Sequence, residues 1–351
     1  MPDPIKVLIV DDSALMRQLL TQILSSDPAI QVVGTAADPF VARDKIKALR
    51  PDVLTLDIEM PRMDGLTFLE KLMRGHPMPV VMISSLTDKG ADTTLRALSL
   101  GTIDYISKPK LDVSDGTVEQ AEEILSKVKA AARVRVRGPH SPAAPVPEAP
   151  ARSYQFSATH KVVAIGASTG GTEALKELLV PLPADFPGIV IVQHMPEAFT
   201  GAFAKRLDAL CRIHVQEARD GDRILPGHAL LAPGGHQMAV VRRGAEYAVR
   251  VYRGERVNRH LPSVDVLFNS CAQQLGKNAL GVLLTGMGAD GAQGMLRMKQ
   301  AESHTIAQDE ATCVVFGMPR EAIHLGAVDE ILPLGRIADA MLEVLGRATN
   351  P

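Results

Sequence analysis

Short, mostly apolar runs alternate along this chain with stretches in which apolar residues return every three or four positions. In the first hundred or so residues the clear runs are 7–10 (VLIV), 53–56 (VLTL), 80–83 (VVMI) and 103–106 (IDYI). The periodic stretches 15–24, 40–49 and 66–73 lie between them and predict helices. Strand and helix in alternation predict a parallel sheet, hence the α/β class. A further helical stretch, 118–132, gives way to Arg133, Arg135 and Arg137 and then to GPHSPAAPVPEAPARS, which has no apolar period and reads as a semi-extended linker. The rhythm resumes at Lys161 and continues to about residue 345, with an apolar β-prone run from Val162, strands at 188–192 and 279–285 and a helix at 173–179. The chain therefore divides into an α/β domain over 1–125, a helical then Pro/Ala-rich linker over 126–157, and a second α/β domain over 158–351.

A length of 351 residues suits two domains, each with a sizeable core. The formal net charge of −2 and a 3% share of aromatic residues without Trp argue against nucleic-acid binding. Cys211, Cys271 and Cys313 show neither a disulfide framework nor a zinc-ligand spacing, so they read as small apolar residues in a reducing compartment. The N-terminus carries no basic-then-apolar leader, and no apolar run approaches the ~20 residues that span a bilayer. The expectation is a cytoplasmic protein without membrane insertion, and a monomer by default.

Residues 162–171, VVAIGASTGG, run from a strand into a glycine-rich turn carrying Ser168 and Thr169. Such a turn either exposes a nucleophilic serine or bares backbone N–H groups to a phosphate. The strand 188–192 ends in Gln193-His194-Met195, where a dinucleotide fold would place an acid for the ribose. The strand 279–285 opens into Gly286-Met287-Gly288-Ala289-Asp290-Gly291. In a parallel sheet the carboxyl ends of the strands share one edge, so Ser168, His194 and Asp290 can converge there. His194 would take the proton of Ser168, and Asp290 would hold the imidazole tautomer. Nearby glycine N–H groups could serve the oxyanion. Taken singly, Ser168 reads equally as a helix cap, His194 as a structural histidine and Asp290 as a turn former. The order Ser, His, Asp also differs from that of α/β-hydrolases.

The first half carries a second constellation. Asp11 and Asp12 follow VLIV, Asp57 follows VLTL, and Ser84 and Lys108 end two further strand patterns. Three carboxylates on one edge repel one another and are relieved by a hard cation such as Mg²⁺. With Lys108 neutralising phosphoryl charge and Ser84 hydrogen-bonding it, Asp57 is the natural phosphoryl acceptor. Ordinary strand-end charges are the alternative, and Lys108-Pro109 is a candidate cis peptide.

The segments VDDS (10–13), LDIEMPRMDGL (56–66), SS (84–85) and SKP (107–109) closely resemble the receiver domains of response regulators. Joined to GASTGG, QHMP and TGMGADG, they resemble the chemotaxis-receptor methylesterase family over nearly the whole chain. PGHALLAPGG, NRHLPSVDVLF and FGMPREA look like that family too. The resemblance implies a flavodoxin-like receiver with helices on both sheet faces, followed by a doubly wound α/β esterase domain. It implies phosphorylation of Asp57, Mg²⁺ on Asp12 and Asp57 with the Glu59 carbonyl, Asp11 assisting, and Tyr105 as the switch aromatic. It implies Ser168, His194 and Asp290 as a triad, with Thr169 and Met287 beside the reacting carbonyl and no cofactor in that domain. The implied activity is removal of methyl esters from glutamates of chemotaxis receptors, and deamidation of selected glutamines, under control of a chemotaxis histidine kinase. In that scheme the unphosphorylated receiver blocks the esterase edge. A nucleotide-binding or noncatalytic signalling module is the rival. Glu302-Ser303-His304 departs from the small apolar residues expected there; with no partner acid in sight for His304, it reads as a local surface change.

Overall fold

The computed structural model describes residues 3–84, 88–108, 117–134, 153–155 and 161–349. The chain forms two compact units, Met1–Ala143 and Ala144–Pro351. The Lys108-Pro109 bond and most of the Pro/Ala-rich stretch lie outside the described residues.

The first unit runs β1 (Ile5–Val10), α1 (Ala14–Ser25), β2 (Ile30–Ala36), α2 (Pro39–Leu49), β3 (Val53–Asp57), α3 (Gly65–Gly75), β4 (Val80–Ser84), α4 (Asp88–Ser99), β5 (Asp104–Ser107) and α5 (Thr117–Ala131). Its sheet is parallel in the order β2-β1-β3-β4-β5. β3 and β4 are buried at every position, as befits strands covered on both faces. Helix starts follow local chemistry. Ser13 accepts from the Met16 N–H, Asp38 from the Phe40 and Val41 N–H groups beside Pro39, and Asp64 from the Thr67 N–H. α5 buries Ile124, Val128 and Ala131, so this fold continues beyond the expected boundary at 125. The sequence pattern did not single out β2 and α4. β2 is an edge strand, only half-buried over its middle and broken by Gly34, so it lacks a continuous apolar run.

The second unit runs β6 (Ser153–Gln155), β7 (Val162–Ala167), α6 (Gly171–Leu179), β8 (Gly188–Gln193), α7 (Glu197–Asp208), β9 (His214–Glu217), β10 (His228–Leu231), β11 (Gln237–Arg243) and β12 (Glu246–Tyr252). It continues with α8 (Val264–Gln274), β13 (Ala279–Leu283), α9 (Ala292–Gln300), β14 (His304–Gln308), α10 (Met318–His324), β15 (Glu330–Leu332), α11 (Leu334–Leu345) and β16 (Arg347–Thr349). Seven strands form a parallel sheet in the order β15-β14-β13-β7-β8-β10-β9. An antiparallel hairpin, β11 on β12, adds to this doubly wound plan, and β16 pairs with β6. Val162, Val190, Val192, Val264, Leu267, Phe268, Met295 and Met318 belong to one buried cluster. A side chain such as Phe268, wholly out of water, contributes about 1.5–3 kcal/mol.

Each sheet has one switch point, where the chain leaves the middle and later returns on the other side. In the first it lies between β1 and β3, in the second between β7 and β13. The crevice beyond such strand ends is where open α/β sheets bind ligands. Both constellations read from the sequence fall there. Among the described residues no helix is long and apolar enough to cross a membrane. All three cysteines are free; burial pushes the Cys211 thiol up to about 11 and those of Cys271 and Cys313 up to about 12, so they are inert as nucleophiles.

Candidate active site

Ser168 stands one residue past β7, and continuation of the ladder on both sides holds it there. Its N–H donates to the Thr285 carbonyl at 3.0 Å, and the His194 N–H donates to the Ala167 carbonyl at 3.1 Å. The ends of β13, β7 and β8 are thereby locked in one plane. The Ser168 carbonyl accepts from the Gly171 N–H at 2.7 Å and from Gln193 Nε2 at 3.0 Å, closing the turn into α6. Gly170 has a φ of +79°. A Cβ there would lie 2.5 Å from Val314 Cβ, and one on Gly171 would lie 2.1 Å from Gln193 Oε1. These glycines are required for close packing, and the space over them is filled by side chains.

Thr285 ties the second side of the turn. Its hydroxyl donates to the Thr169 carbonyl at 2.9 Å and accepts from the Val315 N–H at 2.9 Å, while its own N–H donates to Gln308 Oε1 at 2.8 Å. The 316–319 segment docks on Gly286, whose carbonyl accepts from the Gly317 and Met318 N–H groups at 3.0 and 2.9 Å. A Cβ on Gly286 would lie 2.2 Å from Met318 Sδ and 2.8 Å from Ser168 Cβ. Gly286→Ala is therefore expected to cost about 1–3 kcal/mol by overpacking, seen as a Tm several degrees lower. An unchanged Tm would contradict this packing.

Asp290 is the most heavily hydrogen-bonded side chain of the site. Its Oδ2 lies 2.8 Å from His194 Nε2 and accepts from the Val264 N–H at 2.7 Å. Its Oδ1 accepts from Asn258 Nδ2 at 2.8 Å, Ser263 Oγ at 2.7 Å and the Asp265 N–H at 3.3 Å. Burial opposes ionisation, but the His194 hydrogen bond and charge, with the Asn258 and Ser263 donors, outweigh it and hold the carboxyl well below the usual range. An ionised carboxylate only accepts, so His194 Nε2 carries the hydrogen, and in the neutral ring Nδ1 is the nitrogen with the lone pair. Nδ1 is buried and has no hydrogen-bond partner. The ring stacks on His260 with centroids 3.6 Å apart and planes 10° off parallel. Asn258 Nδ2 also reaches Asp265 Oδ2 at 2.7 Å. Burial raises the pKa of Asp265 against the Gly294 N–H bond, and the nearby Asp290 charge raises it further. Thr169 is buried, and Met287 is half-buried at the mouth of the loop.

The sequence pattern missed Asn258, His260, Ser263 and the N–H groups of Val264 and Asp265. Ser263 stands at the N-cap position of α8, but its hydroxyl donates to Asp290 and leaves the helix without a side-chain cap. A would-be cap turned away from its helix is the kind of signal that only coordinates reveal. His304 corrects the expectation that it has no partner acid. It opens β14 with Nε2 2.6 Å from Glu330 Oε1 and Nδ1 3.8 Å from Asp329 Oδ2. It sits at the amino end of its strand, on the edge opposite Ser168.

In the first unit Asp11, Asp12 and Asp57 bring carboxylate oxygens within 4.8 Å of one another. Asp57 Oδ2 pairs with Lys108 Nζ at 2.8 Å, and its Oδ1 accepts from the Glu59 N–H at 3.3 Å. Burial, then the charge of Asp57, push the Asp11 carboxyl up to about 6. Burial likewise raises Asp57, with Lys108 working against it. Asp11 Oδ1 accepts from the Ser13 N–H at 2.9 Å, but Oδ2 is buried without a partner. An orphaned buried oxygen among three acids suits a hard divalent cation. The Ser84 hydroxyl accepts from Thr94 Oγ1 at 2.8 Å. Tyr105 is buried, with Lys127 Nζ 5.0 Å above its ring.

Two family matches cover the chain, a response regulator receiver domain over residues 7–115 and CheB methylesterase over residues 163–341. A protein of Pseudomonas aeruginosa named protein-glutamate methylesterase/protein-glutamine glutaminase 2 is 58% identical over 344 residues, 98% of each chain. A protein of Bordetella parapertussis named protein-glutamate methylesterase/protein-glutamine glutaminase is 60% identical over 343 residues, 97% of each chain. The crystal structure of the Thermotoga maritima CheB methylesterase catalytic domain matches with a TM-score of 0.52 at 37% identity, covering 53% of this chain and all of that one.

Proposed function

The chain belongs to the CheB methylesterase family and carries a response regulator receiver domain, and from that premise we propose that it hydrolyses glutamyl methyl esters of chemotaxis receptors and deamidates selected glutamines under phosphorylation control. The observation that carries the chemistry is the set of five hydrogen bonds on Asp290, which hold His194 by Nε2 and leave Nδ1 buried and unpartnered beside the strand end bearing Ser168.

In this reading the Ser168 hydroxyl attacks the γ-carbonyl carbon as its proton passes to His194 Nδ1. Ionised Asp290 stabilises the imidazolium, which then protonates departing methanol. Water repeats the cycle on the acyl-enzyme, leaving glutamate and free Ser168. A glutamine side chain passes through the same tetrahedral oxyanion and releases ammonia. Ser168 lies two residues before Gly170, the N-cap of α6, so developing negative charge meets the positive end of that helix, with Thr169 and Met287 at its side. The filled space over Gly170 and Gly171 weighs against the rival in which this turn cradles a nucleotide phosphate.

The receiver supplies the control. Asp57 accepts the phosphoryl group from a histidine kinase, Lys108 and Ser84 contact it, and Tyr105 reports it by changing its packing. Asp11, Asp12 and Asp57, with the Glu59 carbonyl, would hold Mg²⁺, which neutralises phosphoryl charge when bound. Residues 158–351 form the esterase, and phosphorylation of Asp57 raises its activity. Asp57→Ala is expected to take up no phosphate from a small-molecule phosphodonor, and donor-stimulated methanol release should fall to a ratio of about one, as for any switch deprived of its charge change. Stimulation persisting in that variant would refute the assignment.

A further inference from the structure

Residues 242–259 hold six arginines and two glutamates, a local charge of +4 in a chain whose net charge is −2. Arg242, Arg243, Arg250, Arg253, Arg256 and Arg259 are all exposed. Arg243 stands opposite Glu246 at the end of the hairpin, and Glu246 is already paired with Arg223. Among the described residues Arg250, Arg253 and Arg256 have no acidic partner: Arg250 lies 5.1 Å over the Tyr252 ring, and Arg256 Nη1 donates to the Arg259 carbonyl at 3.1 Å. Three like charges without acidic partners in one short segment repel one another and suit a partner of opposite sign.

This run is fastened to the active site. Gln237, buried at the start of β11, donates through Nε2 to the carbonyls of Glu255 at 3.0 Å and His260 at 3.4 Å, and its Oε1 accepts from the Ser263 N–H at 2.9 Å. Ser263 then bonds Asp290. Val257 and His260 exchange both backbone hydrogen bonds around a two-residue turn in which Asn258 has φ +51° and Arg259 φ +68°. Two successive left-handed residues make the hairpin turn that favours Asn first and glycine second. Asn258 suits its place, whereas Arg259 sits where glycine is preferred, and the surrounding contacts hold that strain. The turn sends Asn258 to Asp265 and Asp290, and places His260 on the His194 ring, while Arg253 and Arg256 stay in solvent a few residues away.

We propose that the arginine face of the β11–β12 hairpin and its following loop, centred on Arg250, Arg253 and Arg256, docks an acidic segment of the substrate protein and aligns its glutamyl ester with Ser168. This deepens the methylesterase reading and rests on it. The product of that reaction is a carboxylate, so a segment that carries several such sites gains negative charge with each turnover and matches the face in sign. Exposed arginines of this kind act on encounter and register, and salt screens them.

The test pairs Arg250→Glu/Arg253→Glu with Arg336→Glu, a charge reversal at an exposed position of α11. Methanol release from a methylated receptor cytoplasmic fragment is followed at about 50 and 200 mM salt, where screening differs. KM should rise about tenfold in the double variant with kcat changed less than twofold, and its salt dependence should flatten, whereas Arg336→Glu keeps the parent KM. Unchanged KM and salt slope in the double variant would overturn docking while leaving the esterase reading intact. Should the parent chain release no methanol, that reading fails, and fragment binding to the Ser168→Ala chain by fluorescence anisotropy still decides docking: about tenfold weaker binding by the double variant supports it, equal binding overturns it. Duplex DNA of matched charge binding more tightly than the receptor fragment would also overturn it, in favour of a nucleic-acid surface.

Discussion

Ser168→Ala is expected to lower kcat for methanol release from methylated receptor by roughly 10⁴–10⁶, with ammonia release from receptor glutamines falling by the same factor. The two losses move together because both reactions need one nucleophile and one oxyanion site. The fold should survive, since the backbone of residue 168, through its bonds to Thr285, Gly171 and Gln193, holds the turn. A Tm within a degree or two of the parent would separate lost chemistry from lost structure. Volatile radiolabelled methanol gives the readout. Full release by the variant would remove Ser168 from the mechanism, and loss of one activity alone would require a second site.

Asp290→Asn should lower kcat by about 10⁴ with the side-chain volume kept. An Asn amide presents one acceptor where the carboxylate presents two, so the His194 ring loses the partner that keeps hydrogen on Nε2 and the lone pair on Nδ1. The five donors around residue 290 can no longer all be satisfied, which costs about 1–3 kcal/mol for buried groups and roughly 2–10 °C in Tm for a unit of this size. The effect depends on pH in a definite direction. The folded-state pKa of Asp290 is depressed, so the stability it contributes is fully present above the unfolded value of about 4 and is lost as pH falls through the folded value. The Tm gap between parent and Asp290→Asn should thus be widest near neutral pH and narrow only below about 4. A gap that does not narrow below about 4 would mean that the charge of Asp290 contributes nothing to stability.

The arginine face and the Asp290 shell share residues 258–263, so catalytic and docking effects separate only by choice of position. Substitutions at Asn258 or Ser263 act on Asp290 directly, whereas those at Arg250 and Arg253 touch no hydrogen bond of the shell, and Arg256 holds the turn through the Arg259 carbonyl. The KM-against-kcat split follows from that geometry.

By itself the sequence determined the α/β class, the two-part organisation and the strand ends that carry the candidate residues. Each of these is written locally: a strand such as VVAIGA or VLTLD is recognised from its own few residues, and its last position lies on the carboxyl edge whatever the rest of the fold does. Only the tertiary structure decided what surrounds those positions. The partners of Asp290 come from residues 25 to 96 positions away. They meet it because α8 packs against β7 and α9, a placement that no local period encodes. The ring nitrogen by which His194 is held was equally unreadable, because rotamer and tautomer follow from the finished hydrogen-bond network. His304 shows the same limit from the other side. Its acids lie 25 and 26 residues on, and the pairing of β14 with β15 brings them to a histidine that looked solitary.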